Sequence, residues 1–263
     1  MKTRSAFTWS LLAGLAVLVA AFVPVGWRML QPPPPSSSPS PSQSTAAGRA
    51  AELPAPWEIT RDDAGGVRAF GLRLPGSTLA DALALWRDDL QLGVIAAPGR
   101  PAALEAFTDR WTGGGITGRL VLAADVPAAT LQQWQARSAK RETFEGGAQR
   151  WHLRGEDLAT ALRGAVTGLS FVPSRRLDAD TLRSRFGAPA ETLPGEGATR
   201  HWLYPALGLA IAQDEDSGRT LIQMVPAADF ERRLRAPLLQ AAAAAASAAS
   251  AASAASAASS ATR

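Results

Sequence analysis

Near its beginning the chain carries 23 consecutive residues without a charged side chain, from Ser5 to Trp27. A helix of about 20 mainly apolar residues spans the hydrocarbon core of a bilayer. Tryptophan favours the two membrane interfaces, which is where Trp9 and Trp27 would lie. The run therefore predicts a transmembrane helix at residues 5–27, within an N-terminal signal anchor of residues 1–30.

The alternative to an anchor is a signal peptide that is cleaved at the small residues Val19-Ala20-Ala21. The apolar run continues beyond that site to Leu30, which favours an uncleaved anchor. Lys2 and Arg4 precede the run, whereas Arg28 stands alone on its other side. Because positive charges stay in the cytoplasm, we predict a single-pass protein of the inner (cytoplasmic) membrane with a cytoplasmic N-terminus and a periplasmic domain.

Two low-complexity segments flank the central part of the chain. Residues 31–52 are rich in proline and serine, which favour extended polyproline II, and residues 32–45 alone would reach about 40 Å. We predict a flexible stalk here. Residues 241–263 are almost entirely alanine with a serine at every third position from Ser247, which predicts a fraying helix or a coil without a distinct face.

Residues 53–240 have the composition of a folded domain, since they hold six of the eight tryptophans. The calculated pI of 10.5 comes from the ends of the chain, where five of the 27 basic residues lie. The domain itself is close to neutral with interspersed charges, so we predict no nucleic-acid partner. The absence of cysteine excludes disulfides, thiolate metal sites, a cysteine nucleophile and a lipidated cysteine.

Alternating apolar residues and glycine-rich turns predict an α+β domain with antiparallel or mixed sheets and helices on one face. Hairpins are expected around residues 62–66, 113–118 and 145–147, and a three-stranded meander over residues 199–225. A strand–proline–helix order occurs twice, ending at Pro75 and at Pro173. The domain is therefore either one lobe or two related lobes, residues 53–165 and 166–240.

Three patterns suggest chemistry, but each has a simpler structural interpretation. Residues 113–118 match a dinucleotide-binding GxGxxG, yet a strand follows where that motif requires a helix. The acidic residues 214–218 lack the glutamate of a calcium loop and predict a hairpin tip. His152 and His201 are too few for a metal site, and we expect His201 at the surface. We predict no cofactor and no metal.

The segment 177–230 resembles the OmlA/BamE group, small outer-membrane assembly lipoproteins of Gram-negative bacteria. The resemblance rests on Leu182-Arg183-Ser184-Arg185-Phe186-Gly187-Ala188-Pro189, on Trp202-Leu203-Tyr204 and on the polar turn before Leu221. It covers about a fifth of the chain. The lipidated cysteine of that group is missing and about 120 residues precede the matching region, so the resemblance implies a shared sheet topology and an interaction role, without a specific partner.

Arg200, Trp202 and Tyr204 lie on the same side of the predicted strand, because side chains alternate along a strand. Trp202 and Tyr204 either pack against the preceding helix as core or form, with Arg200, an interaction surface. We predict no catalytic residue.

The leading functional hypothesis is a membrane-tethered envelope protein whose domain binds another envelope protein or a cell-wall component. The alternative is a periplasmic enzyme that assembles its site from scattered residues, such as a carboxylate-based hydrolase.

Overall fold

A computed structural model describes residues 53–86 and 90–247. The predicted membrane helix, the stalk up to residue 52 and the tail from residue 248 lie outside these ranges. Within them, no helix combines the length and apolar character that a membrane span requires.

The described chain folds into two antiparallel sheets and five helices, which confirms the α+β class. The small sheet consists of β1 (Thr60–Arg61), β2 (Val67–Ala69) and β3 (Leu72–Leu74). The first four helices are α1 (Leu79–Trp86), α2 (Ala128–Arg137), α3 (Gly155–Leu162) and α4 (Ala179–Phe186). The fifth, α5, spans residues 230–247 and includes a π-helical turn over Glu231–Arg235.

The large sheet contains ten strands. In chain order these are β4 (Gln91–Ala96), β5 (Ala103–Gly113), β6 (Ile116–Ala124), β7 (Arg141–Thr143), β8 (Gln149–His152), β9 (Val166–Pro173), β10 (Glu191–Pro194), β11 (Thr199–Tyr204), β12 (Leu209–Asp214) and β13 (Thr220–Met224). Their spatial order is β10-β11-β12-β13-β9-β6-β5-β4-β8-β7. The predicted meander is confirmed as β11 to β13, and β10 joins it as an edge strand.

The glycine-rich turns form hairpins as the sequence indicates. Gly114 and Gly115 connect β5 to β6 with φ angles of 54° and 73°, a conformation that side chains disfavour. Added Cβ atoms on Gly114 would lie 2.2 Å from the side chain of Ala55, so this turn also receives the start of the domain. The match to GxGxxG is thus a hairpin turn, and residues 214–218 form the turn between β12 and β13.

One face of the large sheet, the first face, carries the main hydrophobic core. The small sheet and the helices α1, α2 and α4 pack onto it, and the rings of Phe70, Trp111 and Phe171 meet at centroid distances of 4.9 to 5.3 Å. Such tilted ring contacts add to the stabilisation from apolar burial. This core joins β2, β5 and β9 across the whole described chain.

The opposite, second face is partly covered by α5. Phe230, Leu234 and Leu238 pack on Leu203 and Ala210, which alternate with first-face residues along β11 and β12. Helices therefore lie on both faces of the sheet, whereas the sequence pattern predicted them on one face. The cause is the segment after β13, in which Phe230, Leu234 and Leu238 recur at helical spacing and pack on the second face.

Candidate functional site

Only Arg200 of the three predicted interaction residues is accessible in the structure. Trp202 is 2% exposed and Tyr204 is 6% exposed, and both belong to the first-face core. The Tyr204 hydroxyl donates a hydrogen bond to the Gly187 carbonyl at 3.0 Å, and the Arg183 guanidinium lies over the Trp202 ring. Arg200 pairs with Glu215 at 2.7 Å. Tertiary packing thus places the two aromatic residues in the core instead of on a surface with Arg200.

His201 is buried on the second face, not at the surface as expected. Burial lowers its pKa to about 4, because the charged imidazolium loses hydration there. It is therefore neutral at physiological pH. Within the described ranges no three histidine or acidic side chains come together as metal ligands.

The far half of the second face, away from the buried Leu203–α5 contact, carries a different set of side chains. Along β5 the residues Leu104 and Ala106 are buried in the core, whereas Glu105 and Phe107 point to the second face and are half-buried. The neighbouring strands bring further polar and apolar groups to this face. We name the group the second-face patch: Ile95, Glu105, Phe107, Arg119, Glu142 and Arg150.

Arg150 organises the second-face patch. Its side chain, from β8, is almost entirely buried and crosses β4, where an added Cβ on Gly93 would lie 2.9 Å from the Arg150 Cγ. Its guanidinium donates to the Gln91 amide oxygen at 2.6 Å and to Glu142. The same group lies 5.1 Å from the centroid of the Phe107 ring, a cation–π contact. Glycine at position 93 is what allows this crossing.

Glu142 is held in its ionised form. It pairs with Lys140 at 2.6 Å and with Arg150, and the Nε2 atom of His152 lies 3.1 Å from one of its oxygens. Hydrogen bonds from Lys140 and then from Arg150 lower the pKa of Glu142 to about 2. This carboxylate is therefore a structural partner of Arg150 and cannot supply a proton near neutral pH.

Glu105 has the opposite environment. Among the described residues its carboxyl group has no hydrogen-bond partner and no ion pair. Burial raises its pKa to about 7, and the positive charge of Arg100, in the connection between β4 and β5, opposes this rise. Glu105 thus exchanges a proton in the physiological pH range.

The two carboxyl groups of the second-face patch are too far apart to work as a pair. Glu142 lies on β7 and Glu105 on β5, and the order β7-β8-β4-β5 separates them by three strand spacings, or about 14 Å. Paired carboxylates of glycoside hydrolases stand about 5 to 10 Å apart. Glu142 is therefore too distant to act together with Glu105 as the carboxylate pair of a hydrolase.

Sequence reasoning missed this patch. The signal that existed was a glutamate among the alternating residues of β5, where its neighbours Leu104 and Ala106 face the core. No local pattern indicates that Arg150 and Gly93 meet, since strands β8 and β4 pair over 50 positions apart.

No protein-family profile matches this chain, and no curated protein or solved structure matches it significantly.

Proposed function

We propose that this protein is a non-catalytic envelope protein, anchored in the inner membrane by residues 5–27, whose periplasmic domain binds another protein through the second-face patch. The observation that carries the proposal is the arrangement around Phe107, where Arg150 lies over the half-exposed ring at 5.1 Å and Arg119 at 5.9 Å. Arginine and aromatic side chains dominate the binding energy of protein interfaces.

The patch is also held in place before any partner arrives. Arg150 is fixed by Glu142 and Gln91, and Arg119 is fixed by Asp109 at 2.6 Å. Rigid side chains lose little conformational entropy on binding, so more of the contact energy remains as affinity. This favours a preformed binding surface.

The remaining parts of the proposal rest on the sequence. The uncharged run at residues 5–27 supports a membrane anchor, and the stalk of residues 31–52 supports a domain that works at a distance from the bilayer. The resemblance of residues 177–230 to the OmlA/BamE group supports an interaction role. Its helix-to-meander order corresponds to α4, which ends at Gly187, followed by β11 to β13.

A hydrolase remains the second candidate because of one observation, the pKa of Glu105 near 7. A carboxylic acid with that pKa suits a general acid. The proposal of a binding protein is preferred because Glu142, the other carboxylate of the second-face patch, lies about 14 Å away. Turnover of a cell-wall glycan that is abolished by Glu105→Gln would reverse this preference.

Membrane topology is tested with a reporter. Alkaline phosphatase, which is active only after export, is fused behind Arg263 of the full chain. We expect phosphatase activity in intact cells. The mass of the purified protein should be that of the chain with its N-terminal anchor uncleaved. An inactive phosphatase fusion together with an active cytosolic reporter at the same position would refute the envelope location.

The binding surface is tested by photo-crosslinking in cells. A photoreactive phenylalanine analogue replaces Phe107 in the full-length protein, and the control carries it at Gln132, an exposed position on α2. We expect a discrete crosslinked protein from position 107 that is absent from position 132. Equal crosslinking at both positions, or none at either, contradicts a binding site at the second-face patch.

A further inference from the structure

We draw no further inference here: the strongest candidate, the half-buried pair of Trp57 and Phe186 at the C-terminal end of α4 with the Arg185 guanidinium over the Trp57 ring, carries none, because nothing in residues 53–86 and 90–247 shows what covers this surface.

Discussion

Glu105 and Glu142 lie three strands apart in the same sheet, yet their proton affinities move in opposite directions. Three basic neighbours lower the pKa of Glu142 to about 2, whereas burial raises the pKa of Glu105 to about 7. The residue type is the same in both cases, so the difference comes entirely from the neighbours that the fold supplies. At the scale of single residues the fold thus keeps Glu142 ionised and allows Glu105 to take up a proton near neutral pH.

The raised pKa of Glu105 makes stability depend on pH. Between pH 4.5, the ordinary pKa, and pH 7 the folded protein holds a proton that the unfolded chain has released, so stability falls as pH rises through this window. Glu105→Gln removes the effect. We expect the variant to be more stable than the parent by about 3 kcal/mol at pH 8 and nearly equal to it at pH 4.5, measured by urea unfolding of the full chain.

The control for this measurement is Glu196→Gln, which changes an exposed glutamate in a turn. It should leave the pH dependence of the unfolding free energy unchanged. A stabilisation of Glu105→Gln that is the same at pH 8 and at pH 4.5 would show that packing, not charge, causes it.

At the scale of elements, α4 shows how local sequence determines where a helix begins and ends. Asp178 accepts a hydrogen bond from the Thr181 backbone amide at 2.7 Å, and Gly187 ends the helix with φ of 79°. Both ends follow from residue types, because capping depends on atoms only a few residues away.

Removal of the cap should destabilise the protein. We expect Asp178→Ala to lower the Tm by about 2 to 4 °C, because the amide of Thr181 loses its acceptor. The hydrogen bond from the same amide lowers the pKa of Asp178 in the folded protein. The stabilisation by the ionised cap is therefore present above pH 4 and is lost as pH falls through the folded pKa. Thermal unfolding of the parent and the variant at pH 7 and pH 3 measures the difference.

The matched control lies two residues away. Asp180 is exposed in the same first turn and makes only a surface ion pair with Arg183 at 3.4 Å. Asp180→Ala should change the Tm by less than about 1 °C. A similar loss in both variants would indicate that negative charge near the helix start, not the cap, is responsible.

In the last helix, α5, a proline changes the geometry of the preceding turn. Pro237 lies inside α5, and the turn before it is π-helical, with the Ala236 amide bonded to the Glu231 carbonyl. The wider turn relieves the contact between the proline ring and the carbonyl four residues earlier. The same turn leaves Arg233 and Arg235 directed to opposite sides, toward Asp125 and Glu191.

At the scale of the whole molecule, β9 is the strand that unites the described chain. It pairs with β6 on one side and with β13 on the other. The sequence Val-Pro-Ala-Ala follows both flanking strands, at residues 126–129 and 225–228, and each copy precedes helical structure. One continuous sheet contains both strands that these copies follow.

The junction between β6 and β9 is closely packed. A Cβ on Gly118 would lie 2.3 Å from the Val172 carbonyl oxygen and 2.6 Å from the Phe171 ring. We expect Gly118→Ala to lower the unfolding free energy by about 3 kcal/mol or more, because neither backbone nor buried ring can move away. Urea unfolding of the full chain is the measurement.

The neighbouring Thr117→Ala serves as the control, since it removes only an exposed hydroxyl that lies 3.0 Å from the Thr112 hydroxyl. We expect a change below about 1 kcal/mol. If Gly118→Ala were no more destabilising than Thr117→Ala, the two halves of the sheet would not depend on this contact.

The sequence by itself determined the class α+β, the hairpin turns and the ends of α4. These features depend on side-chain period, on glycine conformation and on hydrogen bonds within a few residues. The tertiary structure alone decided the order of ten strands, the burial of Trp202, Tyr204 and His201, and the meeting of Arg150 with Gly93. Strand pairing joins residues that are distant in sequence, and a side chain's burial and charge follow from those distant neighbours, so no local pattern specifies them.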